Sequence, residues 1–196
     1  ELDHIFKGQL DTAGITTEDS SKKFKFIHLN GAHVPYIYDK EMNIINEWDG
    51  TYEQSTQATL FGAMDYVEQL RESGAYDNTT IIVMSDHGFN GSLAQSGDAT
   101  WMRQCAMLLV KGRNEHHDTM QISQAPISFE DLQEAYVRLL DGQQSDSVFD
   151  WKEGDVRERR FLRYSFLDDS HMQEYMQTGY ASDMDTMILT GREYNR

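Results

Sequence analysis

The residues with most chemical promise are Asp86, His87 and His33. Asp86-His87-Gly88 follows directly on Thr80-Ile81-Ile82-Val83-Met84-Ser85, a run rich in β-branched and apolar residues. A carboxylate oxygen beside an imidazole nitrogen suits a divalent transition metal, and the glycine lets the backbone turn sharply behind them. Two adjacent side chains seldom complete a metal site, so further ligands must come from elsewhere. The same tripeptide is also a common turn, and by itself it does not separate the two readings. His33 lies in Asn30-Gly31-Ala32-His33-Val34-Pro35-Tyr36, just past Phe24-Lys25-Phe26-Ile27-His28-Leu29. An imidazole there is able to hydrogen-bond an anionic oxygen or protonate a leaving group; it is equally able to be a loop histidine held by backbone partners. His28 falls inside the preceding run, where packing or support of a neighbouring ligand is its expected role. His116-His117 sits in a charged stretch and reads as surface, and His4 and His171 stand in no partner pattern.

The elements that must position these residues follow from periodicity and punctuation. Residues 1–23 are polar, with Gly8 and Gly14, and read as a loop or lead-in. The runs 24–29 and 80–84 read as strands, and the second is apolar enough to be buried on both faces, as in a parallel sheet. Leu60, Met64, Val67 and Leu70 recur at helical spacing and predict a helix over about residues 50–73, stopped by Gly74. Residues 106–110 predict another strand. Ser128 with Asp131 predicts a capped helix, with Phe129, Leu132, Tyr136, Leu139 and Leu140 as its apolar stripe and Gly142 as its end. Residues 160–166 and 186–190 predict two further strands. The element order argues for an α/β class with a mixed, largely parallel sheet flanked by helices. Ligands in such sheets bind beyond the C-terminal strand ends, where neighbouring parallel strands would bring His33 and Asp86 to one edge.

Composition narrows the partners. The 196 residues include 33 acidic and 17 basic side chains, a formal net charge of −16. No basic surplus exists to displace counterions from phosphates or to dock on anionic lipid, so nucleic acid is excluded as a partner class. Aromatic residues make up 11%, which argues for a folded chain over a disordered one. Cys105 is the single cysteine, so no internal disulfide forms, and its apolar neighbours predict a small buried residue. No apolar run approaches a membrane span, and no signal peptide is visible. The chain opens on Glu1, and an excised segment of a longer protein is expected. Nucleophile elbows and phosphate-cradling glycine motifs are absent.

Taken together, the motifs resemble those of sulfatase-like proteins of the alkaline phosphatase superfamily. Residues 26–36 are similar to the family's strand and histidine loop, and residues 76–88 to its metal-binding strand. The helix running into Leu70-Arg71-Glu72-Ser73-Gly74 and the segment Ala125-Pro126-Ile127-Ser128-Phe129-Glu130-Asp131-Leu132 fit the same order. The resemblance covers about residues 24–142, the C-terminal half of a catalytic core, with 143–196 as an extension. It implies a partial alkaline phosphatase-like fold, Asp86 and His87 as metal ligands, and His33 at the transferred group or leaving oxygen. It further implies phosphoryl or sulfuryl transfer through a covalent intermediate. With a histidine at position 87, zinc or manganese suits the site better than calcium or magnesium, and the lipoteichoic acid synthase branch is the nearer one. That branch implies a membrane-anchored parent on the extracytoplasmic side of a bacterial membrane. Its substrate would be a phosphate or sulfate ester of a glycan, lipid or envelope polymer. The family's nucleophile and first acidic ligand lie upstream of the histidine loop. Thr12, Thr16, Thr17, Ser20 and Ser21 do not stand in that context. The expectation is therefore part of a metal site in a chain inactive by itself; the alternative is a non-catalytic scaffold that kept the fold.

Overall fold

The computed structural model describes residues 2–17, 21–89, 105–142, 149–165 and 168–195. Their elements run α1 (Leu2–Ala13), α2 (Tyr52–Glu72), β1 (Ile81–Met84), β2 (Leu108–Lys111), α3 (Phe129–Leu140), β3 (Arg159–Ser165), β4 (Asp168–Gln177), a 3₁₀ turn (Met184–Thr186) and β5 (Met187–Asn195). The chain divides into two compact units, residues 1–80 with 113–115 and residues 81–112 with 116–196.

In the first unit, α2 forms where the periodicity predicts it. The Thr51 hydroxyl accepts from the Gln54 N–H at 3.2 Å, and the Gln54 side chain accepts from the Thr51 N–H at 3.1 Å. This reciprocal cap satisfies two N–H groups that a helix start leaves without partners. Gly74, at φ +72, ends the helix in the left-handed region, and the Ala75 and Tyr76 N–H groups return to the Leu70 carbonyl. The helix buries Ser55, Ala58, Gly62, Val67 and Leu70. Gly62 leaves room for Met42, which is 1% exposed; a Cβ there would lie 2.8 Å from the Met42 Cε.

Two expectations fail in this unit. The lead-in over residues 1–23 contains α1, whose inward side carries Asp3, Phe6, Lys7 and Leu10 at helical spacing. Lys7 pairs with Asp11 and with Asp65 of α2, and the Phe6 ring lies 6.3 Å from that of Tyr66. Residues 24–29, expected as a strand, form none, and Phe24 and Phe26 are exposed. An aromatic run has strand propensity, but without a neighbouring strand its backbone has no ladder to join.

In the second unit, β1 pairs antiparallel with β2, from Ile81↔Lys111 to Met84↔Leu108. β3, β4 and β5 form a second antiparallel sheet in that order. The described residues thus hold three helices and two small antiparallel sheets. This corrects the expected mixed, largely parallel sheet flanked by helices, and with it the partial alkaline phosphatase-like fold. The physical reason is that an apolar run reports burial and says nothing about the direction of its partner. Here Ile81, Ile82 and Val83 are only half-buried, and their partner strand runs back against them. The α3 cap forms as predicted, with the Ser128 N–H donating to Asp131 at 2.6 Å. Arg157 clamps the same carboxylate at 2.6 Å. Of the α3 stripe, Leu132 is buried while Phe129 and Leu140 are exposed.

β4 was not foreseen, because its sequence, Asp168-Asp169-Ser170-His171-Met172-Gln173-Glu174-Tyr175-Met176-Gln177, is polar. It is the central strand, paired on both sides, and carries the buried Glu174. The Glu174 carboxylate takes Arg160 at 2.9 Å, Thr190 at 2.9 Å and Tyr194 at 3.1 Å. Burial pushes the Glu174 carboxyl up, but these hydrogen bonds outweigh burial and hold it below the ordinary glutamate range.

Two predictions follow from these contacts. A Cβ at position 50 would meet the Tyr36 carbonyl oxygen at 1.8 Å, whereas one at Gly8 meets nothing. Gly50→Ala is expected to destabilise the chain by about 3 kcal/mol or more, and Gly8→Ala to stabilise α1 by roughly 0.5–1 kcal/mol, read from urea unfolding midpoints. A carboxyl lowered in the folded state stabilises above its unfolded pKa and stops doing so as pH falls through its folded pKa. Glu174→Gln should therefore lower the midpoint at about pH 7 and lose most of that effect near pH 3.

Candidate functional site

Asp86 and His87 occupy the first turn beyond β1. The β1–β2 pairing fixes their point of departure and extends one residue past the strand. The Ser85 N–H donates to the Met107 carbonyl at 3.1 Å, and the Met107 N–H donates to the Ser85 hydroxyl at 2.8 Å. The Tyr136 hydroxyl of α3 lies 3.8 Å from the Met84 sulfur. The chain then emerges with the Asp86 side chain 88% exposed and that of His87 42% exposed.

The His87 Nε2 lies 3.8 Å from an Asp86 carboxylate oxygen. Its other ring nitrogen, Nδ1, is 2.6 Å from the Gly88 carbonyl oxygen. A carbonyl only accepts, so Nδ1 carries a hydrogen there. Metal-bound histidines have this arrangement, with the second nitrogen donating to a carbonyl or carboxylate. Tetrahedral bonds of about 2.0–2.1 Å hold two donors about 3.4 Å apart, so at 3.8 Å the pair stands wider than a bound ion would hold it. The donor set, one carboxylate and one imidazole, fits zinc or manganese. Among the described residues, no group of three or more His, Cys, Asp or Glu gathers to complete such a site. The stretch from Phe89 to about Thr100 reads from sequence as a polar, glycine-containing loop, and past Phe89 it lies outside the described residues.

His33 belongs to the first unit. It sits on an exposed turn whose N–H donates to the Asn30 carbonyl at 3.3 Å, and its Nδ1 lies 2.6 Å from the Val34 carbonyl. As in His87, Nδ1 donates to a carbonyl. The shared parallel-sheet edge expected for His33 and Asp86 has no counterpart, because residues 24–29 form no strand and β1 has an antiparallel partner.

The other residues weighed from sequence take quieter positions. His28 is exposed, its ring 6.4 Å from that of Phe26. His116 and His117 are exposed, as expected of a surface stretch. His171 lies 3.6 Å from Glu193 and 3.3 Å from the Asn195 side chain, within the β4–β5 pair. Cys105 is half-buried with its sulfur 2.9 Å from the Ala181 carbonyl. Burial pushes its thiol up against the opposing pull of Arg159, the reverse of what a nucleophile needs.

Sequence reasoning passed over Asp3. It has no exposed surface, and its two carboxylate oxygens accept the Asn30 N–H at 2.8 Å and the Gly31 N–H at 2.9 Å. The available signal was the spacing of residues 3, 6 and 10, obscured by reading a buried position as necessarily apolar. His4, beside it, places Nδ1 3.2 Å from the Met42 carbonyl. Compared with protein-family models, curated proteins and solved structures, the chain matches none.

In solution, nitrogen-15 NMR of the imidazoles above about pH 8 should show His33 and His87 as Nδ1–H tautomers. An averaged pattern, as for an imidazole held by water alone, would remove the argument that Nε2 is prepared for a ligand.

Proposed function

We propose that this chain is part of a metal-dependent, sulfatase-like hydrolase or transferase that acts on phosphate or sulfate esters. Asp86 and His87 supply part of its metal site. The observation that carries this is the Asp86–His87 pair: carboxylate and imidazole 3.8 Å apart at the first turn beyond β1, with the His87 Nδ1 tied to its own turn. The motif resemblance over residues 24–142 adds the reaction class.

Asp86 and His87 hold the ion, with zinc or manganese preferred over calcium or magnesium because imidazole is a poor ligand for the latter two. When bound, the ion supplies Lewis-acid neutralisation of charge on the ester oxygens. By the motif resemblance, His33 meets the transferred group or gives a proton to the leaving oxygen, a role that needs a hydrogen on Nε2 as well as on Nδ1. By the same resemblance, the nucleophile and first acidic ligand belong upstream of the histidine loop, and the reaction on the extracytoplasmic side of a bacterial membrane. Among the described residues, no helix is long and apolar enough to cross a membrane. The net charge of −16 disfavours a polyanionic nucleic acid as substrate and leaves esters of glycans, lipids or envelope polymers.

Calorimetry with zinc or manganese on this chain should give weak binding, on the order of 10 µM or poorer, that Asp86→Ala abolishes. In the intact protein, Asp86→Ala and His87→Ala should each lower phosphodiester or sulfate-ester turnover by about 100-fold or more. Turnover unchanged by Asp86→Ala would remove Asp86 from the metal site.

A further inference from the structure

The geometry points to Asp3 as the positioning residue for His33, acting through the turn Asn30–His33. It rests on the reading of His33 as the group that meets the substrate.

Asp3 stands in the first turn of α1 and is 0% exposed. A carboxylate in that position must have its oxygens satisfied, and both are used on the backbone of one turn, at Asn30 and Gly31. Hydrogen bonds from N–H groups to a charged acceptor are about twice as strong as neutral ones, and two from successive residues fix the orientation of the turn as well as its position. Gly31 takes φ +62, a conformation costly for other residues, and a Cβ there would sit 3.6 Å from the Thr59 side chain of α2. The turn is therefore held from one side by Asp3 and bordered on another by α2. It closes with the His33 N–H on the Asn30 carbonyl, and from there the His33 ring reaches forward to the Val34 carbonyl. The ring is exposed and has little packing to fix it, so its orientation depends on the backbone that carries it. That backbone is anchored at Asp3.

A purely structural role would have Asp3 do no more than dock α1. The two roles separate by what else responds. In the unmodified chain, the Asn30 and Gly31 amides should exchange with deuterium at least about tenfold more slowly than amides 24–28. Equal rates would overturn the proposal without any variant. In Asp3→Asn, one oxygen is replaced by an amide nitrogen that faces a donor. Protection at Asn30 or Gly31 should fall about tenfold, and His33 should lose its Nδ1–H preference, while amides of residues 7–13 stay protected. An unchanged His33 tautomer would overturn the proposal. So would a loss at His33 that only accompanies loss of α1 protection, since Asp3 would then merely dock the helix. The experiment uses no metal and no substrate, so it is able to fail while the functional reading stands. Conversely, unimpaired turnover of His33→Ala in the intact protein would remove the functional reading and leave the Asp3 contact as it is.

Discussion

The buried Asp3 carboxylate is the interaction on which the first unit turns. A charged group with no exposed surface, left without partners, would cost several kcal/mol, so its placement commits the chain to supply donors. The donors are the Asn30 and Gly31 N–H groups, residues distant in sequence. One contact thereby ties α1 to the loop that holds His33. Its neighbour His4 ties the same helical turn to the Met42 carbonyl, and Met42 fills the space left by Gly62 on α2. The small core of Tyr38, Met42 and Ala58 closes around that point.

The second unit is organised differently. Its candidate ligands follow a short ladder, where Ser85 uses both its N–H and its hydroxyl on Met107 before the chain turns out at Asp86. A ladder of four residue pairs fixes where Asp86 and His87 begin, and the Gly88 carbonyl fixes which His87 nitrogen carries the proton. Positioning by backbone and tautomer by carbonyl are separate devices, and a metal ligand needs both. Elsewhere in the unit, the buried carboxylate of Glu174 is met by Arg160, Thr190 and Tyr194 together.

Helices were legible because their signals are local. The spacing of Leu60, Met64, Val67 and Leu70 with the Gly74 stop marks α2, and the Ser128–Asp131 pair, three residues apart, marks the start of α3. The strand 81–84 was legible for its β-branched run. The helix α1 was not, because glycine and polar residues hid a face whose buried members include a carboxylate. The strand β4 was not, because a central strand of polar residues shows no alternation of polar and apolar side chains.

The sequence by itself determined the positions of helices α2 and α3, the candidate residues Asp86, His87 and His33, and the acidic net charge of −16. Each is written in residues close together or in a sum over the whole chain. Only the tertiary structure decided that β1 lies antiparallel to β2, that residues 24–29 form no strand, and that Asp3 holds the turn beneath His33. Strand direction and burial of a charge depend on partners many residues away. A run of side chains records its own propensity and burial, but not which backbone it will meet.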